Sequence, residues 1–119
     1  MQILTTPGWP NNYPNYKHCE WEIVSNTTSD EEIFLNFGDF EVEGGGCRYD
    51  YVQVMEDGNL RGKMCGTDGK GRSFRAKRRL NVVFHSDLST TLKGFRAVFL
   101  IGKCVTVWLR YFQNKILKS

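Results

Sequence analysis

Hydrophobic and polar residues alternate with a period of two along most of this chain. In residues 18–24, Cys19, Trp21 and Ile23 share one face and polar residues the other, the signature of a half-buried strand. Ile33, Leu35 and Phe37 repeat the pattern over residues 32–37 as a second strand, and residues 49–55 read as a third, rich in β-branched and aromatic side chains. Leu80, Val82 and Phe84 alternate again, as do Phe95, Ala97, Phe99 and Ile101. Between these runs lie a polar loop at 25–30, a turn at 39–46, a hairpin signal in Glu56-Asp57-Gly58-Asn59 and a glycine-rich loop at 66–71. With almost no helical period before residue 103, the pattern predicts an all-β domain, an antiparallel two-sheet β-sandwich.

The two ends differ from this middle. Residues 5–16 hold all three prolines with a glycine, three asparagines and three aromatic residues. Proline removes backbone donors and favours extended or turn geometry, so an irregular arm is expected whose rings lie on the core. Residues 103–119 place Val105, Trp108, Leu109, Phe112 and Ile116 at helical spacing among basic residues. That tail reads as a short amphipathic helix or as an unstructured segment.

Composition narrows the class. A chain of 119 residues has room for one ordinary domain, and 40% hydrophobic with 24% charged residues is the balance of a globular protein. A formal charge of +3 names no partner by itself. No stretch reaches the roughly 18 to 20 consecutive apolar residues of a membrane span. The first residues, Met1-Gln2-Ile3-Leu4-Thr5-Thr6-Pro7, lack the basic start and apolar run of a secretory signal.

The four cysteines, Cys19, Cys47, Cys65 and Cys104, contain no Cys-x-x-Cys pair, and His18 and His85 are the only histidines. Structural zinc sites bring ligands in closely spaced pairs, so disulfides or buried thiols are the better readings. Asn26-Thr27-Thr28 fits the N-glycosylation pattern at Asn26. The glycines at 66, 69 and 71 lack the Lys-Ser/Thr ending of a phosphate cradle. His85-Ser86-Asp87 contains the residue types of a catalytic triad, but neighbours on a strand point to opposite faces and cannot converge. With neither a His-Glu-x-x-His zinc motif nor a Gly-x-Ser-x-Gly elbow, the chain is read as a non-enzyme.

Six motifs occur in order: residues 7–14, Pro-Gly-Trp-Pro-Asn-Asn-Tyr-Pro; residues 19–23, Cys-Glu-Trp-Glu-Ile; residues 47–52, Cys-Arg-Tyr-Asp-Tyr-Val; residues 64–66, Met-Cys-Gly; residues 84–87, Phe-His-Ser-Asp; and residues 94–97, Gly-Phe-Arg-Ala. Over residues 3–102 this resembles a CUB domain, the extracellular module of complement-type proteases, tolloid-like metalloproteases and spermadhesins. The resemblance implies a jelly-roll type β-sandwich over 1–102, a tail at 103–119 outside the family pattern, and a Cys47–Cys65 disulfide. The family's other bridge joins Cys19 to a cysteine upstream of the Pro-Asn-Tyr-Pro arm, absent here. A substitute Cys19–Cys104 bridge is the alternative, and the sequence is expected to be a fragment or an incomplete gene model of a secreted protein.

The resemblance also places Glu43, Asp50 and Asp87 at calcium positions, with the Leu88 backbone carbonyl as a further donor and Tyr13 steadying the acidic ligand. Calcium takes about six to eight oxygen ligands, so convergent carboxylates with carbonyl and water suit it. The Gly44-Gly45-Gly46 run alters the spacing from Glu43 to Cys47, and Glu41 competes with Glu43 for the ligand position. The alternative is that Glu41 and Glu43 are solvated while Asp50 and Asp87 satisfy backbone donors.

The function implied is an extracellular, calcium-assisted protein-interaction module. Tyr13, Glu43, Asp50 and Asp87, with Tyr49 at the edge, capture a lysine or arginine of a partner protein. One alternative is an accessory, non-catalytic domain of a modular extracellular metalloprotease or serine protease. Another is a module binding heparin-like glycans through the basic run Lys70, Arg72, Arg75, Lys77, Arg78 and Arg79. Charge runs are usually solvated faces, and Phe74 alone interleaves with this one, which argues against nucleic acid.

Overall fold

The computed structural model describes residues 1–25 and 31–102. Eight strands are present among them: β1 (Gln2–Thr5), β2 (His18–Val24), β3 (Glu32–Glu41), β4 (Tyr51–Glu56), β5 (Asn59–Met64), β6 (Ser73–Ala76), β7 (Arg79–His85) and β8 (Gly94–Gly102). They form two four-stranded sheets, β1-β8-β3-β6 and β2-β7-β4-β5, and every pairing is antiparallel. No helix occurs among the described residues. The expected tail helix, Cys104 and Asn26 lie outside them.

The period-two pattern explains the core directly. Val52, Val54, Leu80, Val82 and Phe84 of one sheet face Ile33, Leu35, Phe37, Phe95 and Ala97 of the other, all essentially solvent-free. Burying a side chain of this kind contributes roughly 1.5–3 kcal/mol. The Phe37 and Phe95 rings meet edge to face at 5.3 Å, and Trp21 approaches Phe95 at 5.8 Å.

Three expectations need correction. β4 begins at Tyr51, so Tyr49 and Asp50 precede the strand read over 49–55. Residues 39–41 belong to β3 rather than to the turn read over 39–46. The register with β8 shifts between Phe37, which faces Ala97, and Phe40, which faces Phe95. This bulge lets Phe37 and Phe40, three positions apart, both point inward, so strict alternation fails although the strand continues. At the far end of β8 the alternation holds in the sequence but burial does not, since Ile101 is 37% exposed.

Three strands had no clear period. β1 and β6 have only four residues each, and β5 mixes polar residues with Gly62. The β4–β5 hairpin turns where expected, with Asp57 and Gly58 both at positive φ (50° and 85°), as a tight primed turn demands.

Candidate functional site

At one end of the sandwich the β3–β4 loop, the loop after β7 and the N-terminal arm meet. β3 ends at Glu41, and buried Val42 then bonds through its N–H to the Gly66 carbonyl at 2.9 Å. The backbone next adopts positive φ at Gly45 (95°), Gly46 (74°) and Cys47 (62°). Two glycines in succession allow this left-handed reversal cheaply, and it returns the chain toward Glu43. The Cys47–Cys65 disulfide, with Cα atoms 5.3 Å apart, staples the reversal to the end of β5.

Asp50, just before β4, is completely buried. Its Oδ2 accepts a hydrogen bond from the Tyr13 hydroxyl at 2.6 Å, and its Oδ1 accepts one from the Asp87 backbone N–H at 2.8 Å. The same Tyr13 oxygen accepts from the Glu43 N–H at 3.1 Å. Tyr13 is itself fixed by its ring, edge-on to Phe84 at 4.9 Å, and by its N–H, bonded to the Leu92 carbonyl at 3.0 Å. Core packing thus aims a phenol at the β3–β4 loop.

The result is a knot of negative charge. Glu43, Asp50 and Asp87 each present a carboxylate oxygen within 4.8 Å of the other two. Burial raises the Glu43 carboxyl above its ordinary value, the Asp50 and Asp87 charges push it further, and a Thr90 hydrogen bond opposes them. Burial also raises Asp50, against the Tyr13 and Asp87 hydrogen bonds, and the Asp87 charge adds to the rise. Tyr13 is pushed well above the usual phenol range, first by burial and then by its bond to Asp50. Glu43 Oε1 is solvent-free and has no hydrogen-bond partner among the described residues. A buried acceptor in that condition is met by a proton, an ordered water or a cation.

Other expected positions fall around this knot or away from it. Tyr49 is 45% exposed, with its ring against Gly45, where an added Cβ would press on it at 3.0 Å. Leu88 follows Asp87 with an exposed side chain. Glu41 is exposed at the end of β3 and outside the carboxylate cluster. Ser86 is structural, its hydroxyl donating to the Pro14 carbonyl and accepting from the Lys17 N–H. Cys19 is half-buried, with its thiol pKa raised by burial, and forms no disulfide among the described residues. Cys47, Cys65 and Asp68 also lie close together, but the two sulfurs are bonded to each other and offer no thiolate.

The sequence reading missed Thr90, while the backbone donor that its alternative gave to Asp50 is the Asp87 amide. An amide carries no residue signature, and Thr90 is one of three hydroxyl residues in Ser89-Thr90-Thr91. The basic run divides in space. Arg75 pairs with Glu32 at 2.7 Å and Arg79 with Glu22 at 3.2 Å, while Lys77 and Arg78 occupy the β6–β7 turn.

A family model described as the CUB domain matches residues 1–99. The chain belongs to the CUB domain family. It is 37% identical over 105 residues to tolloid-like protein 2 of Mus musculus, covering 84% of this chain and 10% of that protein. Among solved structures it resembles the full extracellular region of zebrafish Gpr126/Adgrg6, with TM-score 0.79, 30% identity, and coverage of 87% of this chain and 14% of that one. It also resembles the MASP-1 CUB2 domain bound to Ca2+, with TM-score 0.72, 25% identity, and coverage of 82% and 88%. This CUB chain spans about a tenth of the length of the tolloid-like relative it matches.

Proposed function

We propose that this CUB domain is a calcium-assisted protein-interaction module. The observation that carries the reading is the convergence of Glu43, Asp50 and Asp87 within 4.8 Å, with Glu43 Oε1 buried and unpartnered among the described residues. An all-oxygen set of this charge fits a hard divalent cation better than a transition metal. The Ca2+-bound MASP-1 CUB2 neighbour supports the same choice. Glu43, Asp50 and Asp87 would hold the ion, with the Leu88 carbonyl as a further donor. The ion supplies positive charge that offsets their mutual repulsion.

This chain's own residues then do the binding. Tyr13 and the Asp87 N–H orient Asp50, and carboxylate oxygens at the rim accept a lysine ammonium or arginine guanidinium of an extracellular partner. Tyr49 flanks the rim with an exposed aromatic face. The reading contains no catalytic step. A second reading, an accessory non-catalytic module of a longer extracellular metalloprotease or serine protease, draws support from the 37% identity to the tolloid-like relative. The two are compatible, since a binding module can serve a protease from outside its active site.

The test is thermal unfolding of the oxidised protein in calcium and in excess chelator, repeated with Asp87→Ala and with Asp50→Asn, which keeps the shape and one of the two accepted hydrogen bonds while removing the charge. Calcium at about 100 times its dissociation constant stabilises by about 2.7 kcal/mol, and both variants should lose that shift. An unchanged melting temperature at millimolar calcium would refute the metal site.

A further inference from the structure

The second concentration of charge in this molecule lies along the side where the two sheets end. β5 is the edge strand of one sheet and β6 of the other. They come together there, because Arg61 on β5 donates from Nη1 to the Arg75 carbonyl on β6 at 2.9 Å. Phe74 of β6 fills the seam. Gly62 of β5 faces its ring so closely that a Cβ there would meet Phe74 Cζ at 3.2 Å. The Arg72 and Arg61 guanidiniums lie over the same ring, at 5.2 and 6.0 Å from its centre.

Cations from separate parts of the sequence therefore share one strip. Arg61 and Lys63 come from β5, Lys70 and Arg72 from the loop before β6, and Lys77 and Arg78 from the turn after it. All six are exposed. Arg61 is held by Glu56 at 2.5 Å, and Lys63 sits over the Tyr51 ring at 4.4 Å. Lys63, Lys70, Arg72, Lys77 and Arg78 make no ion pair among the described residues. At about 3.3 Å per residue, β6 from Ser73 to Ala76 is roughly 10 Å long, with Arg72 before it and Lys77 and Arg78 after it.

We infer that the β5–β6 edge binds a linear sulfated polysaccharide. A narrow strip of flexible, exposed cations following two strand edges matches an extended polyanion better than a compact anionic group. Phe74, the aromatic residue at the centre of the strip, is buried and offers no ring face for nucleic-acid bases to stack on. The basic turn that ends this edge is separate from the carboxylate knot, while Lys63, over the Tyr51 ring that stacks on His85, lies at the end nearer to it. β7 runs its full length between Arg79, beside the basic turn, and His85, beside Asp87.

Edge strands often carry lysine or arginine merely to prevent pairing with another sheet, and the test must separate that role from binding. The measurement is affinity for immobilised heparin, with a salt series, of the oxidised wild type and of Lys63→Glu/Arg72→Glu/Lys77→Glu. Glutamates guard an edge as well as the original cations do. A control, Lys17→Glu/Lys93→Glu/Arg96→Glu, makes the same change in net charge away from the edge.

The edge variant should lose affinity by about tenfold or more and show a shallower salt dependence, with the melting temperature kept. The control should lose much less, chelator should leave the wild type unaffected, and desulfated heparin should not bind. Equal losses in the two variants, abolition by chelator, or equal affinity for single-stranded DNA of the same length would overturn the proposal. The chelator arm keeps this result separable from failure of the calcium reading.

Discussion

The acidic end and the basic edge of this CUB domain hold charge in opposite ways. At the acidic end three carboxylates are crowded within 4.8 Å, one of them completely buried; the Asp87 charge raises the cost of ionising Asp50, and both raise that of Glu43. At the basic edge the cations are spread over strand edges and turns, exposed to water, with Arg61 and Arg72 lying over a buried ring. Water screens the second arrangement and not the first. The carboxylates must therefore be held in place by the fold, through a disulfide, a left-handed reversal and a phenol anchored in the core. The cations need only a strand to stand on.

Breaking the staple should produce the largest difference between the two regions. The Cys47→Ser/Cys65→Ser variant removes a link across 18 residues, worth about 3 kcal/mol in the chain-entropy account. Denaturant unfolding should report a loss of that order, and the calcium-induced melting shift should vanish with it. A variant that kept the full calcium response would show that the reversal at 45–47 holds itself.

Tyr13→Phe comes next. It leaves the ring on Phe84 but removes the hydroxyl that joins Asp50 to the Glu43 amide, leaving buried polar groups unmet at about 1–3 kcal/mol. Urea midpoints measured in chelator would check the stability term. Calcium titration should also show weakened binding, because Asp50 loses its orientation.

The pH dependence sharpens the comparison further. Burial and neighbouring charge raise the Glu43 and Asp50 carboxyls in the folded state, so the fold holds those protons more tightly than the unfolded chain does. In chelator their contribution should therefore favour folding at acid pH and be lost as pH rises through the raised values. In calcium the sign reverses, because the ion needs the ionised forms, and its stabilisation should fall away as pH drops through the same window. Melting curves from acid to neutral pH, with and without calcium, should diverge as pH rises. Parallel curves would count against ion binding by these groups.

The smallest effect on stability belongs to the edge. Lys63→Glu or Arg72→Glu alone should shift the unfolding free energy by about 0.5 kcal/mol or less, since both are exposed and unpaired among the described residues. Equilibrium urea unfolding is the check. A loss of several kcal/mol would mean that the cation over Phe74 or Tyr51 supports the fold rather than a ligand.

Alternation determined the two-sheet sandwich from the sequence alone. Ile33, Leu35, Val82, Phe84, Phe95 and Ala97 have to turn one face inward, and a period of two admits few other solutions. The collinear motifs likewise marked Glu43, Asp50 and Asp87 as a set, together with Tyr13. Tertiary structure decided the rest. The bulge at Phe37 and Phe40 broke the period and concealed the end of β3. The proximity of three carboxylates drawn from two loops depends on backbone reversal and on an amide, neither of which has a residue signature. Arg61 and Lys63 join Arg72 and Lys77 because the last strands of two different sheets meet at Phe74. Pattern along a chain specifies which face each residue takes; which charges become neighbours is settled by closure of the sandwich, where long-range packing outweighs separation in sequence.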